Sequence, residues 1–350
     1  MNTIKIAGRE IGPGYPPYLI AEMSGNHNGD IKRALALIEA ASRAGVDAVK
    51  LQTYTADTIT IDHDGPEFTI DSGLWAGRTL FELYEEAHTP WEWHGELFTK
   101  ARELGLTIFS SPFDDTAVDF LEQLDVPAYK IASFEAIDLP LIRRVAATGK
   151  PMIISTGMAN QTEIGEAVAA AKDAGASQIV LLHCVSAYPS HAAEANLRTL
   201  PDLAARFAMP SGLSDHTMGI AVPLAAVALG ACVIEKHFTL SRADGGPDAA
   251  FSLEPEELTA LVKGCRTAWE ALGGVNYART ASEDANVRFR RSLYVVADIA
   301  AGEEFTSRNV RSIRPGFGLA PKHLPQILGR RAAAALRRGT PLSFDAVSKA

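Results

Sequence analysis

The chain has 350 residues, of which 47% are hydrophobic and 21% charged, and its formal net charge is −9. These values are typical of a soluble enzyme with one large domain and a small appendage, and they argue against disorder. No apolar run approaches the roughly 20 residues that span a bilayer, and the N-terminus lacks a signal peptide's apolar core, so we expect a cytoplasmic protein with no membrane partner. Cys184, Cys232 and Cys265 lack a CxxC pair, which predicts buried thiols rather than disulfides or a zinc–thiolate site.

The charge is divided unevenly along the chain. Residues 288–350 carry twelve Lys and Arg against four Asp and Glu, a net +8, which leaves −17 for the rest. This asymmetry indicates an interaction surface or a separate module. Because the basic residues are scattered and aromatic stacking platforms are scarce, we expect contact with an anionic small molecule or with the acidic part of the chain, and no nucleic-acid partner.

Short apolar segments, each ending in polar or charged residues, are spaced through the first 240 residues. They predict parallel strands at 18–22, 48–52, 107–111, 128–133, 152–156, 179–184, 212–216 and 233–237. Segments with apolar residues at three- and four-residue spacing predict helices at 30–44, 92–104, 114–124, 139–147, 161–174, 197–207, 219–229 and 255–272. The alternation predicts an α/β fold, a (β/α)8 TIM barrel, whose active site is built at the C-terminal ends of its strands.

One connection is much longer than the others, and it runs from Tyr54 to Trp91. Loops of this length in compact domains are usually functional or disordered, and this one leaves the catalytic face of the barrel. We expect part of it to be helical and expect it to act as a substrate lid. A surface insertion with its own small hydrophobic cluster is the alternative.

A different pattern begins near residue 291. Short β-type segments at 292–296, 310–313, 314–319 and 336–342 are separated by Gly and Pro, which predicts a small β-rich domain. We therefore divide the chain into a barrel domain at 1–275, a linker at 276–288 and a β-rich domain at 289–350.

Two histidines stand at matching predicted strand ends. His216 ends the seventh strand and His237 the eighth, and imidazoles with a few oxygen ligands suit Mn, Fe, Co or Zn. A lone histidine is more often a hydrogen-bonded core residue, but the pair, with Asp215 and Glu235 beside it, favours a metal site. Glu235 lies on the same face of its strand as His237, so it is placed to orient a ligand or a metal-bound water.

Two lysines, Lys50 and Lys130, end the second and fourth predicted strands. Hydroxyl side chains at other strand ends accompany them, namely Ser110, Ser133, Ser155 and Ser214. A barrel interior tolerates lysine only if it is paired, so this group indicates a bound anion, and phosphate fits best. Two alternatives stay open: the lysines pair with Glu22 or Asp215, or one of them forms a Schiff base as in class I aldolases, against which the hydroxyls and histidines argue.

A series of ordered blocks carries most of these residues. They are Ala21–Gly29, Lys50–Tyr54, Phe109–Phe113, Tyr129–Ser133, Ser155–Met158, Leu182–Cys184, Gly212–Thr217, Glu235–Phe238 and Gly246–Asp248. Together they resemble the sialic acid synthase family, and Arg314–Leu319 resembles the C-terminal antifreeze-like (SAF) domain of those enzymes. Family enzymes condense phosphoenolpyruvate with an open-chain amino sugar to give a nine-carbon 2-keto acid and phosphate, using a divalent metal.

The resemblance implies roles for individual residues. His216 and His237 match the metal ligands, with Mn2+ as the implied metal and Mg2+ or Co2+ as alternatives. The positions that match phosphoenolpyruvate contacts are Lys50, Ser110, Lys130, Ser133, Ser155, Ser186 and Ser214. The positions that match sugar contacts are Glu22, Gln52, Tyr188, Asp248 and Arg314. Arg314 matches an arginine that the tail domain of a domain-exchanged homodimer places over the partner subunit's barrel, and Ser186 stands where neuraminic acid synthases have asparagine.

The implied catalytic residues are Glu22, Lys50, Lys130 and Glu235. The lysines would offset phosphate charge, and the attacking water would be activated by Glu22 as general base or by a metal-bound water that Glu235 steers. A carbohydrate-binding or regulatory protein that keeps the barrel without turnover is the non-enzymatic alternative.

Within the family, Gly73–Tyr84 and Thr89–His94 most resemble the pseudaminic acid synthases. Their substrate is 2,4-diacetamido-2,4,6-trideoxy-L-altrose, and the pathway supplies cell-surface glycans, including glycosylated flagellin. An N-acetylneuraminic or legionaminic acid synthase with the same condensation chemistry is the alternative.

Overall fold

A closed barrel of eight parallel strands organises this chain in a computed structural model that describes residues 3–348. The strands are β1 (Ile4–Ile6), β2 (Arg9–Ile11), β3 (Tyr18–Glu22), β4 (Ala48–Thr53), β5 (Thr107–Pro112), β6 (Tyr129–Ile131), β7 (Met152–Ser155), β8 (Ile179–Cys184), β9 (Ser211–Asp215), β10 (Val233–His237), β11 (Ser292–Val295) and β12 (Val310–Ile313). From β3 to β10 each strand pairs with the next, and β10 pairs with β3 to close the barrel. The predicted (β/α)8 fold is confirmed.

Helices connect the strands of the barrel. The helices are α1 (Ile31–Ala44), α2 (Ala56–Ile59), α3 (Leu80–Ala87), α4 (His94–Glu103), α5 (Asp115–Gln123), α6 (Leu139–Ala146), α7 (Gln161–Asp173), α8 (Thr199–Phe207), α9 (Ala221–Ala228), α10 (Pro255–Leu272), α11 (Ala281–Asp284) and α12 (Leu324–Ile327). Capping side chains begin several of them: Asp30 accepts from the Lys32 amide at 2.9 Å, and Asn160 accepts from the Thr162 amide at 2.9 Å. Across residues 3–348, no helix combines the length and apolar character that a membrane crossing requires.

Two apolar cores lie on opposite sides of the barrel wall because successive strand residues alternate in direction. Val49 and Leu51 pack outward in the core that faces the helices, whereas Ala48 packs in the interior. The hairpin of β1 and β2 adds Ile4 and Ile6 to this interior cluster. Sequence analysis did not predict the hairpin, which packs against the starts of the barrel strands and leaves their C-terminal ends for the polar residues.

The long connection between β4 and α4 contains α2 and α3, so it is partly helical, as predicted. A capping box begins α3, where Thr79 Oγ1 accepts from the Glu82 amide at 3.1 Å. The ring of Tyr84 packs edge-on against Tyr54 at a centroid distance of 5.8 Å, and Tyr54 packs on Phe113 at 5.1 Å. The connection therefore folds back beside the C-terminal ends of β4 and β5.

The chain divides into two compact units, Met1–Gly273 and Gly274–Ala350. The second unit has the antiparallel pair β11–β12 and its own small core, which includes Leu293, Val295, Phe305 and Val310. The predicted β-segments at 314–319 and 336–342 do not form strands in the described part of this unit, and Leu336 and Pro341 make only isolated bridges. Proline has no N–H to donate to a ladder, so Pro315 and Pro341 limit how far regular pairing can extend through these segments. Lys349, counted in the basic tail, lies outside the described residues.

Candidate active site

The polar residues at the strand ends face the barrel interior by simple alternation. In β4, Ala48 lies in the interior cluster, so Lys50 and Gln52 point the same way. The same rule directs inward a set from the other strands, Glu22, Ser111, Lys130, Ser155, Cys184, Ser214, Glu235 and His237. The strands thus bring most of the predicted residues to one end of the barrel.

Two lysines and two glutamates form one buried ionic cluster. Lys50 Nζ lies 2.5 Å from Glu22 Oε2 and 3.8 Å from Glu235 Oε1. Lys130 Nζ lies 3.7 Å from the same Glu235 oxygen, and within residues 3–348 it has no other carboxylate within 4.0 Å. Lys130 is therefore the cation with most capacity for an added anion.

Burial and pairing shift the pKa values of these groups in different directions. Burial raises the pKa of Glu22, against the opposing attraction of Lys50. Burial acts on Glu235 in the same sense, but Lys130 and Lys50 together hold its pKa below the usual range. Burial also lowers the pKa of Lys130. Glu235 is thus the member that stays ionised, and Glu22 is the member that takes a proton more readily.

Hydroxyl groups surround the cluster. Ser111 Oγ accepts from Lys50 Nζ at 3.3 Å, and Ser214 Oγ donates to Glu235 Oε1 at 3.2 Å. Ser155 Oγ is buried and has no hydrogen-bond partner among the described residues. A buried unpaired hydroxyl costs about 1–3 kcal/mol, so Ser155 marks a place where a bound ligand would supply the missing partner.

Ser110, predicted among the phosphoenolpyruvate contacts, does not belong to this cluster. Its Oγ lies 2.6 Å from Thr53 Oγ1, which lies 2.8 Å from His94 Nε2 on α4. Ser110 is on the outward face of β5 and its neighbour Ser111 on the inward face, because strand residues alternate. The structure therefore corrects the interior serine of β5 from Ser110 to Ser111.

Ser133 and Ser186 meet at Gly157, just after β7. A Cβ atom on Gly157 would come within 2.7 Å of Ser133 Oγ and would also collide with Ser186 Oγ. Ser186 Oγ lies 3.8 Å from Cys184 Sγ. Glycine at this position lets both hydroxyls approach the strand end that carries Ser155.

The two predicted metal ligands lie side by side, with ring centroids 5.4 Å apart. His237 ends β10, whereas His216 follows the last residue of β9. His216 Nδ1 lies 2.9 Å from the Val185 carbonyl oxygen, so this nitrogen donates and Nε2 keeps its lone pair. His237 Nδ1 is buried without a hydrogen-bond partner among the described residues, and burial holds the pKa of this ring well below its usual value.

This pair fits a first-row divalent ion. Metal–nitrogen bonds of about 2.1 Å allow two rings at this separation to share one ion. Asp248 Oδ2 lies 4.0 Å from His237 Nδ1 and offers an oxygen nearby. Although burial opposes it, contact with Cys184 raises the pKa of His216, so a metal would compete with a proton for that ring. Within residues 3–348 no group of three or more His, Cys, Asp or Glu is placed to hold a metal ion.

Asp215, predicted beside the imidazoles, points away from them. It lies on the outward face of β9, where Lys236 Nζ is 2.5 Å from its Oδ2. The reason is again alternation, since Asp215 and His216 are adjacent in sequence and take opposite sides of the wall.

A cavity of about 330 Å3 opens beside these groups. It is lined by Ser24, Gln52, Tyr54, Ile59, Trp75, Leu83, Tyr84, Ala87, Phe113, Ala132, Ser133, Phe134, Glu135, Tyr188, His237, Pro247 and Asp248. One wall is polar, because Gln52 Nε2 donates to Glu22 Oε1 at 2.9 Å and to Ser24 Oγ at 3.0 Å, and Ser24 in turn donates to Asp248. Apolar side chains also line the cavity, and Ile59 and Leu83 among them belong to the long connection. The predicted sugar positions Glu22, Gln52, Tyr188 and Asp248 therefore lie together.

The long connection is attached to the site through Trp75. Its Nε1 donates to the Pro247 carbonyl oxygen at 2.9 Å, and its ring centroid lies 5.8 Å from that of Tyr188. The ring of Tyr188 lies 4.3 Å from that of His216. Trp75 therefore joins this connection to the segment before Asp248 and to the ring that covers a histidine.

Glu135 lines the cavity and was not predicted. It lies in a 3-10 turn at Phe134–Ile137, its Oε2 is buried without a hydrogen-bond partner among the described residues, and burial raises its pKa to about 7. Its position two residues after the Tyr129–Ser133 block was the one available signal. Arg314, predicted as a sugar contact, belongs to the second unit, directly after β12, and its role stays a prediction.

The ionic cluster and the paired imidazoles lie at the C-terminal ends of the barrel strands, where (β/α)8-barrel enzymes carry their active sites. The fold and the site together place the chain in this class of enzymes. Two family models match the sequence, the NeuB family over residues 37–277 and the SAF domain over residues 290–348. The chain belongs to the NeuB family. The predicted family, enzyme class and SAF domain are confirmed.

Similar proteins cover nearly the whole chain. A pseudaminic acid synthase of Helicobacter pylori is 44% identical over 95% of this chain and 98% of its own. An N,N'-diacetyllegionaminic acid synthase of Legionella pneumophila is 36% identical over 94% of each chain. Among solved structures, an N-acetylneuraminic acid synthetase of Leptospira borgpetersenii matches with a TM-score of 0.73 and 32% identity, over 82% of this chain and 95% of that one.

Proposed function

We propose that the chain is a pseudaminic acid synthase, which condenses phosphoenolpyruvate with 2,4-diacetamido-2,4,6-trideoxy-L-altrose and water to give pseudaminic acid and phosphate. The observation that carries the proposal is the buried cluster of Lys50, Lys130, Glu22 and Glu235, which lies at the same barrel end as two imidazoles and a cavity of sugar size. Higher identity to pseudaminic acid synthases than to the legionaminic relative supports the choice of sugar.

In this proposal the lysines and hydroxyls hold phosphoenolpyruvate. Lys130 has the weaker carboxylate pairing and takes the phosphate, while Lys50 stays close to Glu22. Ser155 fills its missing hydrogen bond on the anion, and Ser133 and Ser186 add further donors, while Ser214 donates to Glu235 beside them. Charge-assisted hydrogen bonds of this kind are stronger than neutral ones, so they suit the doubly charged phosphate group.

His216 and His237 would hold the divalent ion, for which Mn2+ is proposed with Mg2+ or Co2+ as alternatives. Bound there, the ion would supply Lewis acidity to the sugar aldehyde. The proposed role of the two rings is to place that aldehyde at the cavity end beside the ionic cluster.

The bonds change in an order that these groups can support. C3 of phosphoenolpyruvate forms a bond to the aldehyde carbon, whose oxygen takes up a proton, and positive charge develops at C2. Water adds its oxygen at C2 and loses one proton, which leaves a hydroxyl and the phosphate group on the same carbon. The bond between C2 and the phosphate oxygen then breaks, phosphate leaves with the electron pair, and the C2 hydroxyl gives up its remaining proton to become the keto oxygen. Glu22 is the proposed base for the water, because its raised pKa suits proton transfer near neutral pH, whereas Glu235 is engaged by both lysines and Ser214.

The apolar wall supports a sugar with methyl groups. Leu83 and Phe113 contribute apolar surface to the cavity, and Gln52 and Asp248 contribute polar groups. A 6-deoxy sugar with two acetamido groups would place methyl groups against that wall, whereas the hydroxymethyl group of N-acetylmannosamine would lose its hydration there.

We also propose a cytoplasmic, domain-exchanged homodimer in which Arg314 of one chain reaches the sugar site of the other. The net +8 of residues 288–350 against −17 elsewhere supports docking between oppositely charged parts. The planar donor fork of an arginine suits an acetamido oxygen or a carboxylate. The product would supply cell-surface glycans such as those on flagellin.

Phosphate release tests the function. The purified chain with Mn2+ and phosphoenolpyruvate is given 2,4-diacetamido-2,4,6-trideoxy-L-altrose, the legionaminic precursor sugar or N-acetylmannosamine, and the keto-acid product is identified by mass spectrometry. We expect the highest kcat/KM with the first sugar. A higher value with either of the others assigns the alternative synthase, and no release with any sugar returns the chain to the non-enzymatic class.

A further inference from the structure

A buried ion pair lies on the opposite side of the barrel wall from the histidines. Lys236 Nζ is 2.5 Å from Asp215 Oδ2, and the two side chains are at most 2% exposed. The two residues are register partners on the neighbouring strands β9 and β10. Asp215 directly precedes His216, and Lys236 directly precedes His237.

The pair also holds the turn that follows His216. Asp215 Oδ1 accepts from the Thr217 amide at 3.1 Å and from Thr217 Oγ1 at 2.9 Å. Lys236 Nζ donates to the Thr217 carbonyl oxygen as well. The backbone on both sides of His216 is thereby attached to the residue that precedes His237.

The Asp215–Lys236 pair is charged, although its nearest neighbours on the outward faces of β9 and β10 are apolar. The neighbouring outward residues Leu213 and Ile234 pack in the apolar core between strands and helices. A buried ion pair is weak evidence for stability, because well-packed apolar residues of similar volume are often as stable, and its best-attested use is to set register. A cross-strand pair that connects the backbone next to the two proposed metal ligands fits such a use.

We propose that the Asp215–Lys236 pair is a positioning device that sets the separation and orientation of the His216 and His237 rings, and so the affinity of the site for a divalent metal. The inference rests on the proposed metal-binding role of the two histidines. The pair would influence metal affinity from outside the cavity, without contact to the metal or the substrate.

The test measures metal binding separately from activity. Variants Asp215→Asn, Lys236→Met and the double variant are compared with Ile234→Ala, a matched change on the same outward face of β10 that leaves the turn intact. Folding is followed by circular dichroism, Mn2+ affinity by electron paramagnetic resonance of the free ion, and ligand geometry by the absorption spectrum of bound Co2+. The double variant removes both charges, so it avoids leaving one buried alone.

We expect Lys236→Met and the double variant to bind Mn2+ about 10–100-fold more weakly with an altered Co2+ spectrum, as is typical when a group that orients a metal ligand is lost. Ile234→Ala should lose thermal stability but keep its Mn2+ affinity. A folded double variant with unchanged affinity and spectrum overturns the inference, and so does an equal loss of affinity in Ile234→Ala. If the unchanged protein binds neither Mn2+ nor Co2+, the metal role and the inference are both wrong.

Discussion

Single residues of the active site take their chemistry from the groups that lie within a few ångströms of them. Lys130 shows this clearly, because Glu235, whose carboxylate is the one within 4.0 Å of it among residues 3–348, also lies 3.8 Å from Lys50. Removing Lys130 would leave that carboxylate paired, while a bound phosphate would lose its main cation. Lys130 is therefore more important for binding of the ligand than for stability of the folded chain.

We expect Lys130→Met to raise the KM for phosphoenolpyruvate about 100-fold, because a desolvated charge-assisted contact is worth about 3 kcal/mol. Steady-state phosphate release measures the change, and Lys150→Met, outside the cavity, is the control. Inactivation by borohydride in the presence of substrate, with a mass adduct on Lys130, would instead show a Schiff-base enzyme.

Glu135 supplies a pH-dependent prediction. Burial raises its pKa from 4.5 to about 7, so the folded chain holds this proton more tightly than the unfolded chain. The stability that this difference contributes is complete below about pH 4.5 and is lost as the pH rises through about 7. Glu135→Gln cannot ionise, so we expect it to lose less unfolding free energy than the parent over this range.

Urea unfolding at several pH values measures that difference. Glu103→Gln, at an exposed position of α4, is the control and should follow the parent. Identical pH profiles for Glu135→Gln and the parent would contradict the assignment of a raised pKa to this carboxyl.

At the scale of elements, successive side chains of β5 point to opposite faces of the barrel wall, which gives two neighbouring serines different roles. Ser111 contacts Lys50 in the interior, whereas Ser110 contacts Thr53 on the helix side. We expect Ser111→Ala to lower kcat/KM for phosphoenolpyruvate, and Ser110→Ala to cost about 1–2 kcal/mol of unfolding free energy with little change in activity. Each variant is the control for the other, and the reverse pattern of kinetics and stability would show that Ser110 faces the substrate.

The long connection between β4 and α4 depends on Trp75 for its attachment. Trp75→Phe keeps an aromatic ring beside Tyr188 but loses the hydrogen bond to Pro247, which is worth about 1 kcal/mol. We expect the KM for the sugar to rise roughly 5-fold and that for phosphoenolpyruvate to stay constant. Ile61→Ala, in an exposed part of the same connection, is the control. Equal effects on both substrates would mean that Trp75 supports the whole site rather than the sugar side.

At the scale of the whole molecule, the proposed domain exchange can be tested by mixing inactive chains. A dimer of an Arg314→Ala chain with a His237→Ala chain should contain one complete site, made from the barrel of the first and the arginine of the second. Random mixing should restore roughly a quarter of the parental activity, because half of the dimers are mixed and each has one working site. Mass spectrometry of the intact dimers confirms mixing, and mixed dimers that stay inactive would show that Arg314 serves its own barrel or none.

The barrel was readable from the sequence because its signals are local. Buried parallel strands appear as apolar runs, helices appear as three- and four-residue periodicity, and both recur in strict alternation. Strand ends could be placed closely enough to collect Lys50, Lys130, His216 and His237, since the fold itself brings those ends together.

Other features depend on which residues become neighbours in three dimensions, and only the tertiary structure decided them. A shift of one residue moves a side chain to the other face of a strand, so Ser110 and Ser111 could not be told apart, and Asp215 was placed beside the wrong partners. Three further features depend on packing between segments that are distant in sequence. They are the pairing of Asp215 with Lys236, the burial of Glu135 and the packing of the β1–β2 hairpin. The sequence alone determined which residue types stand at the strand ends. The face that each side chain occupies, its partners and its protonation were decided by the tertiary structure, because a side chain acquires a direction and a degree of burial only when the barrel closes.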